Sequence, residues 1–123
     1  MDKTRLKELL LSAWCAETAQ GKWTPECPSM IQCAVTALVV QDYFGGEMLR
    51  CKMTDGDSHY WNRLPDGNEE DWTEEQFDYI EAQPIKSEYI VREREYVLSF
   101  PNTKMRYDLL KEKVERLSRK QTL

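Results

Sequence analysis

The chain has 123 residues, 41% of them hydrophobic and 32% charged, which excludes a disordered tail or a membrane-embedded protein and fits one globular domain over 1–123. A net charge of -5 excludes a nucleic-acid binder working through a broad basic face. The longest apolar run, near residues 34–40, is far short of a bilayer span, and Met1-Asp2-Lys3-Thr4-Arg5 leads into an amphipathic helix, so a cytoplasmic location is expected.

Residues 2–16 place Leu6, Leu9, Leu10, Ala13 and Trp14 at helical spacing, so one face of a first helix packs on the core. Gln20 to Pro28 reads as a loop. Ser29 then stands three residues before Gln32, the spacing of a capping box, which predicts Ser29 as the cap of a helix carrying Cys33 in or near its first turn. That helix is apolar on most faces and stops at Gly45-Gly46, so it belongs at the centre with Leu38 and Val39 buried.

Glu47 to Met53 and Ser58 to Leu64 read as strands around an Asp55-Gly56 turn, and a short third strand ends near Asp71. Thr73 and Gln76 form a second capping box, opening a short acidic helix through Phe77 and Ile80. Residues 89–100 read as an irregular strand. After Pro101, Asn102 is the expected cap of a closing helix whose Tyr107, Leu110, Val114 and Leu117 make one apolar stripe. The result is an α+β domain, a central helix on a small antiparallel sheet with helices at both termini.

Charge is uneven along the chain. Asp66 to Glu81 holds eight acids and no bases, whereas Lys86 to Lys120 holds ten bases and six acids, two faces open to solvent or to a protein partner. Cys15, Cys27, Cys33 and Cys51 show no C-x-x-C spacing and His59 is the only histidine, so neither a zinc site nor a disulfide framework is expected. Asp55 and Asp57 lack the closing Glu of a calcium loop. No cofactor is implied. Trp14, Trp61 and Trp72 read as core residues.

One constellation carries chemistry. A helix start favours a thiolate through its free N–H groups and dipole, and it is there that Cys33 falls. A thiolate nucleophile needs a base, and His59 lies on a following strand; the imidazole needs an orienting acceptor, and Asp71 lies at the end of the next. The Cys33 backbone N–H is a ready oxyanion donor, with Gln32, Trp23 and Gln20 as further substrate or oxyanion candidates.

The order helix-start Cys, strand His, strand Asp is that of the papain-like and transglutaminase-like superfamily. His59-Tyr-Trp61 and Asp71-Trp-Thr73 resemble the His-x-Trp and Asp-x-Thr signatures of transglutaminase-like domains. At closer range, Gln32-Cys-Ala-Val-Thr-Ala-Leu-Val-Val-Gln-Asp-Tyr-Phe-Gly-Gly46 with His59-Tyr-Trp-Asn62 resembles the YunG-like family of small bacterial proteins over roughly residues 14–117. In that family a Gly often precedes the Gln-Cys pair; here the position is Ile31. The resemblance implies a papain- or transglutaminase-like fold. The chemistry read from the residues is thioester formation on an acyl, amide or peptide substrate, followed by transfer to water or an amine. A non-catalytic interaction module on the same fold is the alternative.

The triad depends on strand register. A two-residue Asp66-Gly67 turn would point Asp71 away from the His59 face, whereas a five-residue loop over 63–67, or an equivalent bulge, would bring the two together; the second is expected.

Overall fold

The computed structural model describes residues 1–121; the last two positions of the 1–123 span lie outside the described residues. Helix α1 (Lys3–Ala13) is opened by Asp2, whose Oδ1 accepts the Arg5 N–H at 2.8 Å, a cap worth about 1 kcal/mol. Its buried stripe is Leu6, Leu9, Leu10 and Ala13. At its end the Trp14 indole donates to Thr36 Oγ1 at 2.9 Å, tying it to helix α2 (Cys33–Phe44).

Helix α2 is the centre of the molecule. Every residue from Val35 to Val40 is buried, because the sequence there is apolar on most faces. Leu38 and Val39 are fully buried, each such side chain worth about 1.5–3 kcal/mol against exposure. The start of α2 differs from expectation. Gln32, not Ser29, is the cap residue, and it makes no side-chain cap bond. The reason is Ile31, whose φ of 55° turns the chain left-handed between Ser29 and the helix, so Ser29 cannot line up with the first-turn N–H groups. Cys33 is consequently the first helical residue.

Gly45, at φ 75°, closes α2 by donating to the Gln41 carbonyl at 2.9 Å, and the chain passes into the sheet. Strands β1 (Glu47–Lys52), β2 (Ser58–Arg63), β3 (Glu69–Glu70) and β4 (Ile90–Arg92) form an antiparallel sheet of order β3-β2-β1-β4. Met48 and Tyr60 on one face meet the main core built by α1, α2 and the closing helix. Leu49, Cys51 and Trp61 on the other face form a second, smaller cluster. Asn62 donates to the Ala37 carbonyl at 3.0 Å, which pins β2 against the middle of α2.

Between β2 and β3 the loop has three residues. Leu64 and Asn68 close it through the Leu64 N–H to the Asn68 carbonyl at 2.8 Å, Pro65 and Asp66 make the turn, and Gly67 takes the left-handed position at φ 89°. Asn62 thus pairs with Glu70, which is neither the two-residue nor the five-residue register, but the left-handed Gly67 makes a bulge of the equivalent kind expected and keeps the parity of 59 and 71 the same.

Two other segments differ from the sequence reading. Residues 89–100 are not one strand: β4 ends at Arg92, and α3 (Arg94–Leu98) follows. Arg94 reaches the Leu38 carbonyl, Gln41 and Asp42 of α2, and these bonds hold the segment to the helix instead of the sheet. Helix α4 (Pro101–Gln121) opens at Pro101, where a missing N–H costs nothing, so Asn102 sits inside the first turn and accepts from Arg106 Nε at 2.8 Å. The short acidic helix is a 3₁₀ segment, Glu74–Asp78. Of the closing stripe, Tyr107, Leu110 and Val114 are buried and Leu117 packs at the edge.

Candidate functional site

Cys33, His59 and Asp71 come together. His59 Nε2 lies 2.6 Å from Asp71 Oδ2, and His59 and Cys33 line the same cavity. With Nε2 donating to the carboxylate, Nδ1 is the nitrogen left to face sulfur. The thiol comes from the start of α2, the ring from β2, and the carboxylate from the residue after β3. Asp71 is diagonal to His59 across the β2–β3 pair, within reach because both stand on one face.

The ring is clamped. Trp61, two residues along β2, stacks on it at 5.7 Å, and Phe77 meets it edge-on at 4.8 Å. His59 is 1% exposed. Burial disfavours the imidazolium, but the bond to Asp71, with the nearby Cys33 sulfur, outweighs it and pushes the His59 pKa up to about 9. Burial also works against charge on Asp71; the His59 and Lys86 contacts overcome it and hold the carboxyl below its usual range.

Lys86 and Gln76, which the sequence reading did not place there, support this site together with Thr73. Lys86 Nζ lies 2.9 Å from Asp71 Oδ2 and 5.1 Å from the Trp61 ring centre. Asp71 Oδ1 accepts from the Thr73 N–H and hydroxyl, Thr73 Oγ1 accepts from Gln76 Nε2, and Gln76 Oε1 accepts the Ile31 N–H at 3.1 Å. This chain of bonds joins the triad's acid to the backbone two residues before its sulfur. The Thr73–Gln76 spacing signalled a capping box; nothing in sequence signalled that Gln76 would reach Ile31, or that Lys86 would fold back over β2.

Two cavities of about 380 and 330 Å³ meet at Cys33. Gln20 and Cys33 line both, so the Gln20 amide is a candidate donor to an oxyanion. The other two oxyanion candidates point elsewhere. Gln32 is fully buried and gives its Nε2 to the Cys15 carbonyl at 2.9 Å, and Trp23 gives its indole N–H to the Pro28 carbonyl at 2.9 Å. Both donors are taken up in holding the loop before α2. As the first residue of α2, Cys33 has no intrahelical acceptor for its own N–H.

A family profile described as "YunG protein" matches residues 2–119. The chain belongs to the YunG family. Over 90 residues it is 40% identical to "Uncharacterized protein YunG" of Bacillus subtilis (strain 168), a match covering 73% of this chain and 72% of that protein. No solved structure is a significant match. The matched span includes the positions of Cys33, His59, Asp71, Gln76 and Lys86. Among the described residues, no group of three or more His, Cys, Asp or Glu stands placed to hold a metal ion, and no helix is long and apolar enough to cross a membrane.

Proposed function

We propose that this YunG-family protein is a thiol-dependent acyl-transfer enzyme, a cysteine hydrolase or amidase of papain- or transglutaminase-like design, with Cys33 as nucleophile, His59 as base and acid, and Asp71 as orienting carboxylate. The observation that carries the reading is the chain's one imidazole, bonded to Asp71 at 2.6 Å and lining one cavity with a helix-start thiol. In the reaction, sulfur attacks the carbonyl carbon and an S–C bond forms. The C–N bond breaks as the His59 imidazolium gives its proton to the leaving amine. Water then attacks the thioester, His59 takes a proton from it, and the acid leaves with the thiolate restored. The Cys33 N–H and Gln20 face the developing oxyanion.

The test is selective alkylation. Near neutral pH, iodoacetamide should modify Cys33 faster than Cys15, Cys27 or Cys51, and His59→Ala should slow it at least tenfold, read by peptide mass spectrometry. A Cys33 that reacts no faster than the other thiols, or ignores His59, overturns the reading.

One observation favours an interaction module as the second reading. Ile90, Val91, Phe100 and Met105 are exposed, and β4 is an edge strand of the sheet. An inert Cys33 would leave that reading standing.

A further inference from the structure

Arg106 is an unusual residue to find beside a thiol. It is 4% exposed, and its guanidinium is met by neutral groups alone: Asn102 Oδ1, the Thr18 carbonyl and Thr103 Oγ1. Among the described residues it forms no ion pair. A buried cation without a carboxylate is costly, since neutral acceptors replace only part of its hydration. Arg50 lines the same 380 Å³ cavity and is likewise without a carboxylate, its Nε and Nη2 both turned to Ser58 Oγ. Asp57 is also on the wall, but among the described residues it pairs with neither arginine. Tyr60, Tyr96, Val97 and Phe100 give the same wall an apolar part.

The two cavities differ in a way that orients a substrate. His59 lines the 330 Å³ cavity and not the 380 Å³ one. The group that protonates the leaving amine must stand on the leaving side, so the amine belongs in the His59 cavity and the acyl chain in the arginine cavity. The His59 cavity is walled by Asp55, Asp57 and Glu81, which suits an amine.

Building on the thiol reading, we propose that the Arg50–Arg106 cavity binds an oxyanion, a carboxylate or phosphate group, carried on the acyl part of the substrate. The favoured substrates are acidic acyl amides, and the guanidinium forks fix the chain so that its carbonyl lies over Cys33.

The charge preference can be read on the sulfur itself. Cys33 in the intact protein is alkylated with iodoacetate and with iodoacetamide, and the ratio of the two rates is divided by the same ratio for glutathione. The expected normalised ratio is at least tenfold in favour of iodoacetate, falling to near one in Arg50→Met. In the unaltered protein, glutarate or inorganic phosphate should slow iodoacetamide at Cys33, and the stronger protectant identifies the oxyanion. A fast Cys33 with no preference for iodoacetate, or a preference indifferent to Arg50→Met, overturns this proposal and leaves the thiol reading intact. A Cys33 slow towards both reagents overturns both.

Discussion

At the residue scale, the His59 pKa of about 9 makes two testable demands. It lies above the ordinary imidazole value, so the folded state binds the proton more tightly than the unfolded chain does. The resulting stability is full below about pH 6.5, fades as pH rises through about 9, and amounts to roughly 3 kcal/mol at most. Urea titrations between pH 6 and 10 should therefore show falling stability, and His59→Ala should flatten that slope. The second demand concerns the reaction. In the proposed reaction the imidazolium is the proton donor, so the alkaline limb of any Cys33-dependent activity should lie near 9. Asp71→Asn removes the bond that raises the ring's pKa and should move that limb to lower pH.

Ile31 makes a different prediction at the same scale. A β-branched side chain at φ 55° carries on the order of 1–2 kcal/mol of backbone strain. Glycine relieves that strain and alanine does not. Ile31→Gly should thus be more stable than Ile31→Ala by about 0.5–1 kcal/mol in chemical denaturation, the reverse of the usual order. The chain must turn left-handed there to present Cys33 as the first residue of α2.

At the scale of elements, the site is a product of how α2, β2 and β3 are held. Gly46 is where the chain leaving α2 passes closest to β2. A Cβ there would stand 2.2 Å from the Arg63 carbonyl oxygen, and φ is 81°, so Gly46→Ala must push β1 and β2 apart. We expect a loss of at least about 3 kcal/mol. Gly67→Ala is the control: φ is 89° but the space is open, so about 1 kcal/mol is expected. A melt showing the two variants equal would mean that the close approach at Gly46 does not govern the packing. The β2–β3 loop illustrates why register escaped the sequence. Turn propensity favoured two residues and the triad favoured five, and a three-residue loop with Gly67 left-handed satisfies both parity and turn geometry.

At the scale of the whole molecule, one polar cluster ties the helices around the core. Arg94 Nη2 donates to Asp42 Oδ1 at 2.6 Å and to the Tyr107 hydroxyl at 2.7 Å, and that hydroxyl donates to Asp42 Oδ2 at 2.6 Å. Burial, then the bond to Asp42, pushes the Tyr107 phenol far above its usual range. Tyr107→Phe keeps the ring in the stripe but leaves part of Asp42 unpaired, so a loss of about 1–3 kcal/mol by thermal or urea denaturation is expected. Arg94→Met removes the link between α2 and α3 altogether and should cost more.

The amino-acid sequence by itself determined α1, α2 and α4 and their buried faces, because periodicity is a local property. Leu6, Leu9 and Leu10 on α1, Leu38 and Val39 on α2, and Tyr107, Leu110 and Val114 on α4 are all buried where spacing put them. It also singled out Cys33, His59 and Asp71 by residue type and chain order, and the fold brings these three together. Tertiary structure alone decided the rest. Whether His59 and Asp71 share a face depends on the number of residues in one loop, and a change of one residue reverses it. Gln32 and Trp23 lost their place at the site to hydrogen bonds with Cys15 and Pro28 that no local pattern encodes. Lys86 joined Asp71, and Arg106 came to line the Cys33 cavity from a helix beginning 68 residues later, through packing over distances at which sequence spacing carries no information.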